Sequence, residues 1–204
     1  MDIARAAARL FAQQGLRATR AEDIARAAGI APRTFYRYFA TKEEAVAPLY
    51  ALGAERWVEA VREAPAELSP PQALEHATRH VLTPGAGVSA ASWEGARTLI
   101  RLAEGSPALR KVWAEVCHVT ERALGEALAE RVHGRDDNVA EEPAEAVVGP
   151  RTRFAAAAAG AAVRVAVEYW AASAEEPVRA LDLALGNLEV LRGLEWDEAR
   201  GSVG

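Results

Sequence analysis

Arginine, threonine and tyrosine crowd together between Pro32 and Tyr38, in the run PRTFYRY. Guanidinium groups can fork onto guanine edges or phosphates, tyrosine hydroxyls can bond phosphate oxygens, and a threonine methyl can meet a thymine methyl. On a helix, Phe35 and Phe39 are four apart and can share an inward face with Ile24, Leu10 and Phe11. That leaves Arg33, Thr34, Tyr36, Arg37 and Tyr38 on the outer arc. Lys42 follows near the start of the next helix, where free amides and the helix dipole favour a phosphate. The plainer reading is a set of solubilising arginines with both tyrosines packed on a neighbouring helix. The flanking signals argue against it.

Those signals are local. Ile3, Ala7, Leu10 and Phe11 recur at helical spacing, so residues 2–14 predict an amphipathic helix, stopped by Gly15. Thr19 and Glu22 have capping-box spacing, and a short helix follows over about 20–28 with Ile24, Ala25 and Ala28 facing inward. Gly29 ends it, Ile30 plugs the turn, and Pro32 sits where a helix tolerates a missing N–H. The next helix runs over about 32–38. Thr41 and Glu44 form a second capping box, opening a long helix over 42–63 with a kink expected at Pro48. Two short helices joined by a tight glycine turn make a helix-turn-helix pattern, whose second helix enters the major groove.

Charge agrees with this placement. The whole chain carries −5. Residues 1–42 hold eight Arg/Lys against three acids, a net +5; residues 43–204 hold 16 against 26, a net −10. A basic head on an acidic body puts any polyanion-binding surface on the head.

The head AEDIARAAGIAPRTFYRYFATKEEAV, residues 21–46, resembles the DNA-binding domain of the TetR family of transcriptional regulators. RAAARLFAQQGLRAT, residues 5–19, fits that family's first helix. The resemblance implies that Arg33, Thr34, Tyr36 and Tyr38 lie at DNA-contacting positions and that Lys42 matches a phosphate contact. Family members often carry a second threonine where this chain has Arg20, so the second helix is expected to start from Thr19, with Arg20 as an added positive group near the DNA backbone. The candidate DNA-binding set is therefore Thr19, Arg20, Pro32, Arg33, Thr34, Tyr36, Arg37, Tyr38 and Lys42. The basic N-terminal arm of some relatives is not seen ahead of helix one.

The rest of the chain predicts helices at about 70–83, 90–104, 107–132, 150–173 and 177–194. The polar, acidic stretch from Gly134 to Gly149 reads as a mobile loop. The fold class is all-α, with about nine helices: a head over 1–45 and a ligand-binding and dimerisation body over 46–204. WEGARTLIRLAEGSPALRKVW, residues 93–113, resembles members with a C-terminal domain of the mycofactocin-regulator, acyl-CoA-like ligand type.

Small residues on helix 150–173, namely Ala156, Ala157, Gly160 and Ala161, let another helix approach closely. Val178, Leu181, Leu185, Leu188 and Leu191 recur at helical spacing. In TetR-like proteins the last two helices pair with their two-fold mates. A homodimer is expected, with Ala156, Ala157, Gly160, Ala161, Leu185 and Leu188 at its interface. One helix-turn-helix reads only a few base pairs, and two heads ~34–36 Å apart read a palindrome.

Trp57, Trp93, Trp113, Cys117, His118, Tyr169 and Trp170 are the candidate lining of an apolar ligand pocket. His76 and His80 share a metal-compatible spacing, yet no Cys or further His lies nearby in sequence. Cys117–His118 is a poor nucleophile–base pair, because adjacent helical residues point ~100° apart. No enzyme, cofactor or metal site is expected.

The N-terminus is not a secretory signal, no apolar run reaches the ~20 residues of a membrane span, and the lone cysteine excludes an internal disulfide framework. The expected place is the bacterial cytoplasm, at the nucleoid when bound to an operator. The expected function is a ligand-responsive repressor of a palindromic double-stranded operator, with an activator or a ligand-independent architectural protein as alternatives.

Overall fold

The computed structural model describes residues 1–83, 90–133, 148–173 and 179–193. Nine α-helices and no strand occur among them, so the fold is all-α, as the sequence predicts. The helices are α1 (Asp2–Gln14), α2 (Ala21–Ala27), α3 (Pro32–Tyr38), α4 (Ala47–Arg62), α5 (Pro70–Leu82), α6 (Ala90–Gly105), α7 (Pro107–His133), α8 (Pro150–Ala172) and α9 (Ala180–Glu189). Most of the acidic stretch from Gly134, and Val178, lie outside the described residues.

The head is a three-helix unit around Phe11, Ile24 and Phe35, each at most 1% exposed. Burying a phenylalanine of this kind contributes about 2–3 kcal/mol. The turn between α2 and α3 depends on Gly29, whose φ of +69° is left-handed. That geometry lets the Ile30 amide donate back to the Ala25 carbonyl at 2.9 Å and closes α2.

Two helix starts differ from expectation. Helix α2 begins at Ala21, and the Arg20 amide donates to the Asp23 carboxylate at 3.3 Å. Thr19 does not cap: its hydroxyl donates to the Gly15 carbonyl at 2.8 Å and accepts from the Gln14 amide at 3.2 Å. Glu22 is thereby released for another partner.

The expected kink at Pro48 is absent. A 3₁₀ turn over Glu44–Val46 precedes α4, and Pro48 occupies its first turn, where its missing N–H breaks no bond. The capping pair at this junction does form. The Glu44 amide donates to the Thr41 hydroxyl at 3.3 Å, and the Ala40 amide donates to the Glu44 carboxylate at 2.8 Å.

Helix α4 carries the head onto the body and packs on α5 and α7; α8 lies against α7 and α9. Alanines make these contacts close. Ala156 and Ala159 of α8 sit fully buried beside Leu124, Ala127 and Leu128 of α7. Arg131 of α7 closes the C-terminus of α4. Its guanidinium donates to the carbonyls of Ala64 at 2.8 Å, Pro65 at 2.7 Å and Val61 at 3.2 Å, which would otherwise lack helical partners.

One apolar cluster runs without a break from Phe11, Ile24 and Phe35 through Val46 and Tyr50 to Leu99, Ile100 and Leu109. It crosses from α1–α3 into α4, α6 and α7. Packed interiors transmit small displacements because they compress little.

Candidate nucleic-acid interface and apolar cavity

Helix α3 divides sharply between its two faces. Phe35 is completely buried, while Tyr36 and Tyr38 are 51% and 61% exposed, high values for large aromatic side chains. Pro32, Arg33 and Arg37 are exposed with them and Thr34 is half-buried, so these residues form one outer arc. Arg37 lies over the Tyr38 ring, 5.0 Å from its centroid, and donates to the Tyr38 hydroxyl at 3.1 Å. Tyr36 donates its hydroxyl to the Glu22 carboxylate at 3.3 Å, joining α3 to α2. The sequence pattern points to Glu22 only as a cap.

Three head residues stand differently from the rest of the candidate set. Thr19 is 1% exposed with its hydroxyl turned inward, so its side chain is not on the surface. Arg20 is exposed at the start of α2. Lys42 is half-buried, and its ammonium donates to the Leu16 and Thr19 carbonyls, with the Glu43 carboxylate 3.9 Å away. Lys42 therefore ties the loop before α2 to the segment after α3. Its distance in sequence from Leu16 hides this role.

A cavity of about 440 Å³ lies between α1, α4, α5, α6, α7 and α8. That size suits a small organic ligand. Five of the seven pocket candidates, Trp57, Trp93, Trp113, Cys117 and Trp170, are on its wall. His118 and Tyr169 are not: both are exposed, each one residue and a ~100° turn away from a wall residue. Tyr50 is an aromatic wall member missed from sequence. Its position seven residues before Trp57, two helical turns, was the available signal.

Three of the aromatic rings are held in place by their polar atoms, while the buried Trp93 indole nitrogen has no partner among the described residues. The Tyr50 hydroxyl donates to the Leu99 carbonyl at 2.8 Å, and the Trp57 indole donates to Thr78 at 3.0 Å. The Trp113 indole donates to Glu168 at 2.7 Å, and Arg164 also pairs with that carboxylate at 3.2 Å. Tyr50 and Trp113 meet at 5.0 Å, while Trp93 and Trp170 meet edge to face at 5.3 Å.

Burial pushes the Cys117 thiol up to about 12, against the pull of Arg164 toward thiolate. A neutral thiol is a poor nucleophile, and His118 is exposed beside it. His76 and His80 are exposed, and the described residues contain no group of three or more His, Cys, Asp or Glu placed to hold a metal.

Part of the expected dimer set is used inside the chain. Ala156 and Leu188 are 1% and 2% exposed, packed with α4 and α7, so neither can meet a second copy. Gly160 faces Glu121: a Cβ there would stand 3.0 Å from the Glu121 Cγ. Small residues suit close packing within a chain as well as between chains. Ala157, Ala161 and Leu185 are half-buried. The apolar residues left open on α8 are Phe154, Val165 and Tyr169, which with Ala158 and Ala161 follow helical spacing down one face.

Comparison with known proteins places this geometry. Residues 3–47 match the family described as "Bacterial regulatory proteins, tetR family". The HTH-type transcriptional regulator TcmR of Streptomyces glaucescens is 35% identical over 133 residues, 64% of this chain and 58% of its own length. The chain thus spans less than two thirds of that relative. Among solved structures, Thermus thermophilus FadR, a TetR-family transcriptional repressor in complex with lauroyl-CoA, aligns over 100% of this chain and 98% of its own with 23% identity and a TM-score of 0.55. AlkX from Dietzia sp. strain DQ12-45-1b, a TetR-family repressor implicated in biodegradation of n-alkanes, aligns over 94% of both chains with 19% identity and a TM-score of 0.57. These two likenesses are of fold. No helix among the described residues is long and apolar enough to cross a membrane.

Proposed function

We propose that this chain, a member of the TetR family, is a homodimeric repressor that reads a palindromic DNA duplex through α3 and releases it when an apolar ligand fills the body cavity. The observation that carries the reading is the division of α3: Phe35 fully buried, with Arg33, Tyr36, Arg37 and Tyr38 exposed on the opposite arc. An exposed arc of two arginines and two tyrosines has the chemistry of a groove reader. Residues 1–45 act as the head and 46–204 as the body.

The nine candidate contacts divide by task in this reading. Arg33, Thr34, Tyr36 and Tyr38 face bases or the phosphates beside them. Pro32 sets the helix start, and Arg20 and Arg37 add charge near the backbone. Lys42 and Thr19 hold the head together beneath that surface, while Lys42 still adds positive potential. Two copies associate through α8 and α9, with the open stripe of Phe154, Val165 and Tyr169 covered by the mate. Covering such a stripe removes apolar surface from water at about 25 cal/mol per Å². A dimeric regulator of this kind works in the bacterial cytoplasm.

Release is a population shift. The continuous cluster from Phe35 to Leu99 supports coupling between cavity and head. Wall residues come from α1 as well as α4, so an occupant touches the head directly. It weakens operator binding only to the extent that it prefers the other arrangement of the heads, typically about 1–3 kcal/mol. That FadR is found with lauroyl-CoA and AlkX is implicated in n-alkane biodegradation accords with an apolar ligand here.

The test is selection of bound sequences from a random duplex pool by the purified chain at fixed salt, followed by ligand titration on the selected duplex. Enrichment of a two-fold sequence supports the reading. Binding that is salt-sensitive but indifferent to sequence would instead make the head an architectural module.

A further inference from the structure

We infer that the cavity takes an amphipathic anion, its apolar tail inside and its carboxylate or phosphate head at a rim where Arg5 and Arg56 receive it. This rests on the reading of the cavity as a ligand site and adds the charge and direction of the ligand.

The wall is sorted by exposure. Its exposed members come from three helices, among them Arg5 on α1, Gly53 and Arg56 on α4, and Gly95 on α6. Arg5 and Arg56 are the only residues of that exposed set with a charged side chain. The open edge of an otherwise apolar cavity is therefore positive. At Gly53 and at Gly95 an added Cβ would meet nothing within 4 Å, so the wall leaves free space at this edge. The gap between α1, α4 and α6 is the entrance.

The interior is unsuited to an anion. Arg164 is already paired with Glu168 at 3.2 Å, and Glu168 also holds the Trp113 indole. Glu121, the one acid on the wall, stands 4.0 Å from His118. A carboxylate pushed inward would meet an occupied arginine and a like charge, besides losing its water.

At the rim both arginines are available. Arg5 has Asp2 3.9 Å away, with the two side chains 68% and 90% exposed, a pair that solvent screens heavily. Arg56 has no ion pair or hydrogen bond among the described residues. A head group bound there keeps part of its hydration and gains charge-assisted hydrogen bonds. Arg5 belongs to the first helix of the head and Arg56 to the helix that carries the head, so an anion held by both would join the two.

The experiment compares three probes with the same tail: dodecanoate, dodecyl phosphate and 1-dodecanol. Binding to the full-length chain is measured by calorimetry at low salt, below micelle formation. At least one anion is expected to bind about tenfold tighter than the alcohol. That gap should close in the Arg5→Gln/Arg56→Gln double variant, with alcohol affinity unchanged, and should shrink in high salt. The preferred anion identifies the head group.

Equal affinities of all three probes for the native chain would overturn the rim assignment while leaving an apolar ligand site. A gap that survives the double substitution would overturn the role of these arginines. Failure of every probe to bind would overturn the inference and count against the cavity as a ligand site, whereas duplex selection tests the head independently. Both arginines are exposed, so circular dichroism of the double variant should match the native chain.

Discussion

The buried Tyr50 hydroxyl donates to the Leu99 carbonyl at 2.8 Å, joining the helix that carries the head to α6 across the cavity wall. Tyr50 and Leu99 also lie in the apolar cluster shared by head and body. The hydrogen bond is a direct polar link between α4 and α6. Tyr50→Phe keeps the ring and removes that link. It should cost about 1–2 kcal/mol, a drop of a few degrees in melting temperature. It should also change the extent to which ligand weakens operator binding. A variant with native stability and native ligand response would deny the link any role.

Lys42 offers a second test, because its ammonium holds the Leu16 and Thr19 carbonyls. Lys42→Met should destabilise the chain by about 1–3 kcal/mol through two unpaired carbonyls. It should also weaken binding to all duplexes alike and lower the salt dependence. Thermal melting and anisotropy at several salt concentrations read the two effects separately. Loss of affinity with unchanged stability would mean that the lysine leaves the carbonyls for DNA.

The recognition arc makes a sharper prediction. Arg33→Ala should relax sequence preference at one base position by about 1–3 kcal/mol and leave stability alone, since Arg33 is exposed. Tyr36→Phe frees Glu22, whose carboxylate then faces the DNA unpartnered, so binding should weaken; Glu22→Gln in the same chain should recover part of the loss. Competition assays with single-base variants of the selected duplex decide both. Unaltered preference in Arg33→Ala would remove that residue from base reading.

Much of this was legible in the sequence, and the misses have physical causes. The helix predicted over about 70–83 is found as α5, Pro70–Leu82, whose first turn accommodates two residues lacking N–H groups. Gly29 marks the turn because its left-handed backbone disfavours other residues. Pro48 misled, since the same residue kinks a helix interior and starts a helix without cost. Thr19 misled because its hydroxyl had a second acceptor, the Gly15 carbonyl, that spacing does not reveal. The pocket was half legible. A tryptophan states its size but not the side of the helix it faces, so Trp170 and Tyr169 could not be separated until α6 was seen against α8. Arg5 was invisible as a wall residue, because it reaches the cavity only through the packing of α1 on α4 and α6.

Cys117 gives a pH dependence. Its thiol is pushed up to about 12, whereas an unfolded chain ionises near 9. Between those values the folded state keeps a proton that the unfolded state has lost. The contribution to stability is therefore fully present below pH ~9 and falls as pH rises toward 12. Denaturant midpoints from pH 7 to pH 10 should decline more steeply in the native chain than in Cys117→Ala. Iodoacetamide at pH 8 should modify the folded protein far more slowly than a free thiol, whose thiolate fraction is about a thousandfold larger. Alkylation at the rate of a free thiol would contradict the burial.

The most direct measurement is the affinity of the chain for its selected duplex as the two half-sites are moved apart. Inserting about five base pairs turns one half-site to the opposite face of the helix, and about ten restore the face at a longer span. Two heads on one dimer predict a loss of about a hundredfold or more for the half-turn insertion, close to the affinity of a single half-site. Equal affinity at every spacing would contradict paired reading of a palindrome by a dimer.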